Sequence, residues 1–142
     1  MITVMVSGKF DPVHEGHIDH ILKAAALGDK LIVVTHTDEV LDKIKPTGHQ
    51  VTLWARMVLL RGILLHYGIL GDVMVSVDPD ANTTETLRLV RPHIYAKGGD
   101  RTPNNMPQEE IDACMEMKIP IVYGIGCLLN ASSKIKIQKE EV

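Results

Sequence analysis

Several features are scarce in this sequence, and each scarcity excludes a class of protein. Among 142 residues there are only two cysteines, one phenylalanine and one tryptophan. Two cysteines are too few for a disulfide scaffold, so Cys114 and Cys127 are expected to be reduced thiols. No apolar run approaches the roughly 18 residues of a transmembrane helix, and the N-terminus lacks the pattern of a secretory signal. We therefore expect a cytoplasmic protein without a membrane segment.

An excess of charge of one sign is also lacking. The chain has 15 basic and 18 acidic residues, a formal net charge of −3, which gives no reason to expect nucleic-acid binding. Hydrophobic residues make up 45% and charged residues 23%, which argues against a disordered chain. The length suits one domain with its own core, so residues 1–142 are treated as a single domain.

Short apolar runs alternate with segments of helical periodicity along the whole chain. The apolar runs predict buried strands over residues 2–7, 31–36, 72–77, 93–96 and 119–123. The periodic segments predict helices over residues 15–27, 53–67, 84–91, 107–118 and 131–138. This order indicates an α/β fold, a single Rossmann-like domain whose five-stranded parallel sheet carries helices on both faces. Ligands of such sheets bind beyond the C-terminal strand ends, so functional residues are expected there.

The segment after the first predicted strand carries the strongest chemical signal. His14 and His17 are three residues apart, so they share one face if a helix begins near His14. Gly16 removes a side chain where a phosphate could approach the helix N-terminus, and two imidazoles could donate hydrogen bonds to a phosphoryl group. Two alternatives remain. The histidines could be ordinary surface residues, or they could join His20 in a metal site, although no cysteine or well-placed carboxylate completes that set.

Residues 8–17 read G-x-F-D-x-x-H-x-G-H, which strongly resembles the signature of the nucleotidyltransferase superfamily with the HxGH motif. Members include glycerol-3-phosphate cytidylyltransferase, the nucleotidyltransferase part of the ADP-heptose synthesising enzyme, archaeal FAD synthetase and, more distantly, pantetheine-phosphate adenylyltransferase. The similarity extends along nearly the whole chain. Residues 90–100 are very like the fourth-strand segment of the heptose nucleotidyltransferase, and residues 130–135 resemble the S/T-rich motif that starts the last helix.

The resemblance implies a mechanism and three catalytic residues. His14 and His17 are expected to stabilise the transition state as a phosphate acceptor attacks the α-phosphorus of a nucleoside triphosphate and pyrophosphate leaves. Lys45 is expected to assist from a mobile basic loop over residues 42–50 that closes on the triphosphate. Mg²⁺ is expected as the cofactor, carried by the triphosphate rather than by a protein metal site.

Further residues are expected at the nucleotide. The resemblance places there Gly8, Phe10, Asp11, Lys43, Arg56, Lys97, Gly98, Asp100, Ser132 and Ser133, and Lys9 is added as a hypothesis of its own. Asp11 either organises its loop or helps to position the nucleotide and its Mg²⁺. Ser132 and Ser133 could hold the β- and γ-phosphates at a helix N-terminus, or they could simply follow an ordinary cap at Asn130.

The sequence departs from the family pattern at two places. Lys9 stands where the family has a small or hydroxyl residue, and residues 124–129 lack the arginine that usually precedes the last motif. We hypothesise that Lys9 supplies the missing positive charge from the opposite wall of the phosphate site. The alternatives are that Lys9 points to solvent or binds the phosphate of the acceptor.

These features together predict an enzyme that transfers AMP or CMP from ATP or CTP to a phosphorylated small acceptor. The segment KGGD at residues 97–100 favours a sugar phosphate similar to heptose 1-phosphate. Cytidylyl transfer to glycerol 3-phosphate and adenylyl transfer to FMN are the enzymatic alternatives, and a nucleotide-binding regulatory module is the non-enzymatic one. The chain has no room for a kinase half, so it is not expected to be the bifunctional heptose enzyme. A homodimer is expected from the resemblance alone.

Overall fold

Five parallel strands form the centre of the structure, a computed structural model that describes residues 1–126. The strands are β1 (Thr3–Ser7), β2 (Lys30–Thr35), β3 (Gly71–Val75), β4 (Ile94–Ala96) and β5 (Ile121–Val122). They are arranged in the order β3-β2-β1-β4-β5. The chain therefore builds outward from β1 to β3 and then crosses back to add β4 and β5. Strand order reverses beside β1, and a ligand crevice is expected at such a point.

Five helices connect these strands. They are α1 (Glu15–Ala25), α2 (Asp38–Ile44), α3 (Leu53–His66), α4 (Thr84–Val90) and α5 (Gln108–Met117). Threonine side chains fix two of the helix starts, because the hydroxyls of Thr37 and Thr52 accept hydrogen bonds from the amides of Val40 and Ala55. The predicted last helix over residues 131–138 lies outside the described residues.

The core lies on both faces of the sheet. Val4 and Val6 of β1 pack on one face in a cluster that includes Ile21 of α1 and Leu60 of α3. Met5 points to the other face, into a second cluster with residues of α4 and α5. Burial on both faces explains the continuous apolar runs in the sequence and confirms the predicted α/β sheet with helices on both sides. No helix within residues 1–126 is long and apolar enough to cross a bilayer.

The structure corrects the start of the loop predicted over residues 42–50. Residues 42–44 belong to helix α2, which buries Val40 and Leu41, and residues 45–50 lie outside any helix or strand. A seven-residue helix with two buried residues is too short for helical periodicity to stand out among charged neighbours. The strands predicted over 93–96 and 119–123 are also shorter in the structure, partly because Pro120 has no N–H group to give to the ladder.

Candidate active site

A cavity of about 530 Å³ opens at the C-terminal ends of β1, β2 and β4. It lies at the reversal of strand order, where the sequence predicted the functional residues. Eight of the predicted site residues line it, namely Gly8, Lys9, Phe10, His14, His17, Lys97, Gly98 and Asp100. The histidine motif and the KGGD segment are far apart in sequence, and the parallel sheet brings them to one place.

His14 and His17 hold the start of α1 with a reciprocal pair of hydrogen bonds. The Nδ1 atom of His14 accepts from the amide of Gly16 at 3.1 Å, and the Nδ1 atom of His17 accepts from the amide of His14 at 3.2 Å. An imidazole nitrogen that accepts from an N–H group carries no proton. A neutral ring that accepts at Nδ1 carries its proton on Nε2, so the two rings can present two N–H donors at a helix N-terminus that itself favours anions.

The environment keeps His17 neutral. Burial, together with the charges that His14 and His20 would carry, lowers the pKa of His17 to about 4. The rings of His14 and His17 are stacked, with centroids 3.8 Å apart. At neutral pH, His17 is thus an uncharged ring that can donate a hydrogen bond rather than a fixed positive charge. This role suits stabilisation of negative charge that develops during a reaction.

The ring of Phe10 packs against the ring of His17. Its ring is 1% exposed and meets the His17 ring edge-on at a centroid distance of 4.9 Å. The backbone of Phe10 lies in the left-handed region at φ 51°, which is strained for a bulky side chain. A Cβ atom at Gly8 would lie 3.1 Å from the Phe10 ring, so glycine leaves the space that this turn requires. The predicted ligand contacts of Gly8 and Phe10 stay predictions.

Lys97 is the buried cation of the site. Its Nζ atom donates to Ser7 Oγ and to the Tyr95 hydroxyl, at 3.2 Å in each case. The Tyr95 hydroxyl in turn donates to Glu110 Oε1 at 2.8 Å and bonds Thr83 Oγ1 at 2.9 Å. Burial lowers the pKa of Lys97 to about 8, although the charge of Glu110 opposes the shift. This network fixes a titratable positive charge in the cavity floor.

Two other cations line the cavity closer to solvent. Lys9 is exposed, and its side chain makes no hydrogen bond or ion pair within residues 1–126. Arg101, which the sequence analysis did not single out, lies across the cavity and donates from Nη1 to the carbonyl of Asn105 at 2.6 Å. Its place directly after the KGGD segment was the available signal. The site therefore contains two candidates for the charge that the family takes from an arginine before the last helix.

Asp11 and Lys45 lie beside the cavity and contact each other. The Nζ atom of Lys45 is 2.6 Å from Asp11 Oδ2, and the amides of Gln50 and Val51 also donate to the Asp11 carboxylate. Of the two roles considered for Asp11, the geometry favours loop organisation. Lys45 is not among the cavity-lining residues, and its catalytic role stays a prediction.

Arg56 belongs to the fold rather than to the cavity, which corrects its predicted contact with the nucleotide. It is fully buried, and its guanidinium donates to Thr35 Oγ1 at 2.7 Å, to the His36 carbonyl at 2.8 Å and to Asp38 Oδ1 at 2.7 Å. Protein acceptors thus occupy the groups that would bind a phosphate. Lys43 lies on α2 and is exposed, with Nζ 3.5 Å from the Pro79 carbonyl.

Several further cavity residues were not singled out from the sequence. They include Ser7, His36, Asn82 and Glu110, and His20, which the sequence suggested only as a possible metal ligand, also lines the cavity. His20 donates from Nδ1 to the carbonyl of Ile125, which fixes the chain after β5 against α1. Ser132 and Ser133 lie outside the described residues. Within residues 1–126, no three His, Cys, Asp or Glu side chains are grouped so that they could hold a metal ion.

Two histidines at a helix start, beside a cavity of about 530 Å³ at the C-terminal edge of a parallel sheet, place this chain in the class of α/β proteins with a ligand site at the sheet edge. A family model described as cytidylyltransferase-like matches residues 5–124. The chain belongs to the cytidylyltransferase-like family. This finding confirms the resemblance seen in residues 8–17 and 90–100.

Curated relatives agree with this assignment. The bifunctional protein HldE of Vibrio cholerae serotype O1 (strain M66-2) is 37% identical over 128 residues, which cover 87% of this chain and 25% of HldE. HldE of Methylococcus capsulatus is 30% identical over 135 residues, or 94% of this chain and 24% of that protein. The chain thus spans about a quarter of the length of these relatives.

The same fold occurs in the lipopolysaccharide core biosynthesis protein from Thermoplasma volcanium GSS1. The superposition has a TM-score of 0.70 at 22% identity and covers 89% of this chain and 98% of that chain. A universal stress protein from Archaeoglobus fulgidus is more distant, with a TM-score of 0.52 at 13% identity over 87% of this chain and 93% of that chain. At these identities the likeness concerns the fold alone.

Proposed function

We propose that this chain transfers AMP or CMP from ATP or CTP to a phosphorylated small acceptor and releases pyrophosphate. The observation that carries the proposal is the pair of Nε2–H donors that His14 and His17 present at the start of α1. Membership of the cytidylyltransferase-like family supports the same reaction class. A sugar phosphate similar to heptose 1-phosphate is the proposed acceptor, because residues 90–100 resemble the heptose nucleotidyltransferase and HldE proteins are among the relatives.

The proposed chemistry needs alignment and charge stabilisation rather than a covalent intermediate. A phosphate oxygen of the acceptor attacks the α-phosphorus, and the bond from that phosphorus to the oxygen of the leaving pyrophosphate breaks. Negative charge increases on the non-bridging oxygens, where the Nε2–H groups of His14 and His17 would donate. A phosphate monoester is already ionised near neutral pH, so no strong general base is required. Holding both substrates in line supplies the rest of the rate enhancement.

Cations in the cavity would receive the triphosphate. Lys97 from the floor, with Lys9 and Arg101 nearer the rim, would face its negative charge. Gly98 and Asp100 after β4 would contact the nucleoside, with Asp100 accepting from a hydroxyl. Mg²⁺ would enter bound to the triphosphate and would reduce the charge that the protein has to meet.

Pyrophosphate release tests this proposal directly. The purified chain should be assayed with ATP or CTP and Mg²⁺ against glycerol 3-phosphate, hexose and heptose 1-phosphates, and FMN. These acceptors separate the sugar-phosphate reaction from the glycerol 3-phosphate and FMN alternatives. A nucleotide-binding regulatory module would bind triphosphate but release no pyrophosphate with any acceptor, and that outcome would overturn the proposal.

Substitution of His17 tests whether its imidazole stabilises the transition state. His17→Ala should lower kcat by roughly 10²–10³, the usual loss for one transition-state donor, with a much smaller change in nucleotide affinity. His17→Gln keeps an acceptor for the helix cap, so it separates loss of the imidazole from loss of the helix start. His66→Ala, at an exposed histidine on α3, is the matched control. Equal losses in binding and turnover would argue against the role of His17.

A homodimer and a cytoplasmic location complete the proposal. The dimer rests on the family resemblance, and an exposed apolar face of α3 with Trp54, Val58 and Leu65 is a surface that a second copy could cover. Light scattering on the purified chain and on Leu65→Lys would test it, because a lysine at that interface should yield a monomer. The cytoplasm is proposed because it supplies nucleoside triphosphates and phosphorylated acceptors.

A further inference from the structure

His36 lies in the cavity wall just beyond the end of β2 and has no role in the chemistry above. Its side chain is buried, with only 3% of the residue exposed. The backbone carbonyl accepts from Arg56 Nη1 at 2.8 Å, but the ring atom Nδ1 has no hydrogen-bond partner in the described part of the chain. A buried imidazole without partners costs stability, and an apolar side chain of similar size would avoid that cost.

The surroundings of the His36 ring keep it neutral at neutral pH. Burial lowers the pKa of His36, and the charges of Arg56 and Lys97 act in the same direction. The carboxylates of Asp78 and Glu110 oppose the shift without cancelling it. A neutral imidazole offers one hydrogen-bond donor and one acceptor but no charge. Such a group suits a hydroxyl of a ligand better than a phosphate.

Asn82 lines the same part of the cavity from the chain between β3 and α4. Its Oδ1 atom accepts from the amide of Thr84 at 3.1 Å, which orients the side chain and leaves the amide nitrogen as a donor. Ala81 and Ile44 supply apolar wall on this side. His36 and Asn82 therefore both contribute neutral polar residues to the cavity wall, which Ala81 and Ile44 also line.

This part of the cavity lies on the opposite side of β1 from the proposed nucleoside contacts. Gly98 and Asp100 follow β4, whereas His36 follows β2 and Asn82 follows β3 in the order β3-β2-β1-β4-β5. His14 and His17 follow β1 between them. Two substrates that react above β1 cannot occupy the same space, so a nucleotide on the β4 side leaves the β2 side to the acceptor.

We propose that His36, together with Asn82, binds a hydroxyl group of the phosphorylated acceptor and thereby selects polyol or sugar phosphates. This inference rests on the proposed function and adds a specificity-determining residue to it. The hydroxyl would contact Nε2 of this ring, because Nδ1 is shielded from solvent.

The test compares three variants with whichever phosphorylated acceptor supports pyrophosphate release. His36→Leu should raise the KM for that acceptor about tenfold or more, the effect of losing one buried hydrogen bond. The KM for the triphosphate should change less than about twofold, and the melting temperature should stay equal or rise, because the apolar leucine removes an unsatisfied group. His36→Asn, which keeps a hydrogen-bonding side chain, should recover part of the acceptor affinity. His66→Leu is the matched control on an exposed histidine.

Monodeoxy analogues of the acceptor complete the test. One analogue should bind the wild-type enzyme more weakly than the parent acceptor but bind His36→Leu equally well. Unchanged acceptor KM in His36→Leu, or equal weakening for every deoxy analogue in both enzymes, would overturn the inference while turnover by the wild type upholds the proposed function. A wild-type chain that releases no pyrophosphate with any acceptor overturns both.

Discussion

Lys45 and Asp11 form an ion pair of 2.6 Å that ties the chain after α2 to the turn after β1. The Asp11 side chain is fully shielded from solvent, and it also accepts from the amides of Gln50 and Val51. Burial alone would raise the pKa of the Asp11 carboxyl, but the hydrogen bonds from Lys45, Gln50 and Val51 outweigh it and lower the pKa. One carboxylate thus holds two loops together beside the histidines.

Removal of the Asp11 charge should release the loop that it holds. In Asp11→Asn the ion pair is lost and one carboxylate oxygen becomes an amide nitrogen that cannot accept. We expect the amides of residues 45–52 to exchange hydrogen faster while those of β1 and β2 stay protected, which hydrogen-exchange mass spectrometry would show. Glu39→Gln, which removes an exposed negative charge from α2, is the control. Equal protection in Asp11→Asn and the wild type would contradict the anchoring role.

Strong acid should also weaken the hold of Asp11 on the loop, because it protonates the carboxylate. Because the folded-state pKa of Asp11 lies below the ordinary value of 3.8, its stabilising contribution is fully present above that value. The contribution is lost as the pH falls through the lower, folded-state pKa. The loop should therefore be held equally well at pH 6 and pH 7 as far as Asp11 is concerned.

Arg56 should affect stability far more than nucleotide binding. Arg56→Met leaves Asp38 and the Thr35 hydroxyl without their buried partner, and we expect a loss of about 3 kcal/mol in the free energy of unfolding. Arg61→Met, on the same helix at an exposed ion pair with Asp72, should cost less than about 1 kcal/mol. Denaturant unfolding would measure both. A strong loss of triphosphate affinity in folded Arg56→Met would instead favour the contact predicted from the sequence.

Lys97 should make triphosphate affinity dependent on pH. With a pKa of about 8, its charge is present at pH 7 and mostly lost at pH 9, so affinity should weaken as the pH rises through this range. Calorimetric titrations with a non-hydrolysable ATP or CTP analogue at about pH 7 and about pH 9 would show the step. Lys97→Met should bind more weakly at the lower pH and should lack the step. A step that persists in Lys97→Met would assign it to another group.

Lys9 is expected to meet the charge of the triphosphate from the cavity rim. Lys9→Thr should reduce triphosphate affinity by roughly 1–3 kcal/mol, the scale of one charge-assisted hydrogen bond. Lys23→Thr, at an exposed lysine near the end of α1, is the control. Arg101→Gln in parallel shows whether the arginine carries the charge instead. Weaker acceptor binding with unchanged nucleotide affinity would place Lys9 on the second substrate, and no change in either would leave it in solvent.

Local signals explain what the sequence could predict. Apolar runs predicted the five strands of the sheet. The glycines and histidines of residues 8–17 predicted the turn and the helix start of the site. The roles of Arg56 and His36 depend on which distant residues surround them after folding, and no short pattern encodes that. A basic residue in the first turn of a helix looks the same in sequence whether it faces a phosphate or, like Arg56, the carboxylate of Asp38.

The capping pair of His14 and His17 has a consequence for anyone who redesigns this site. Each ring accepts a backbone hydrogen bond at Nδ1 and, in the proposed reaction, donates from Nε2, so the helix cap and the chemistry depend on the same side chain. A replacement side chain must be two-ended, with an acceptor for the helix amide and a donor for the substrate at the far side. Libraries that vary either position freely would mostly contain variants that have lost the helix cap. Libraries restricted to side chains with both an acceptor and a donor would keep the helix start and change only the group that faces the substrate.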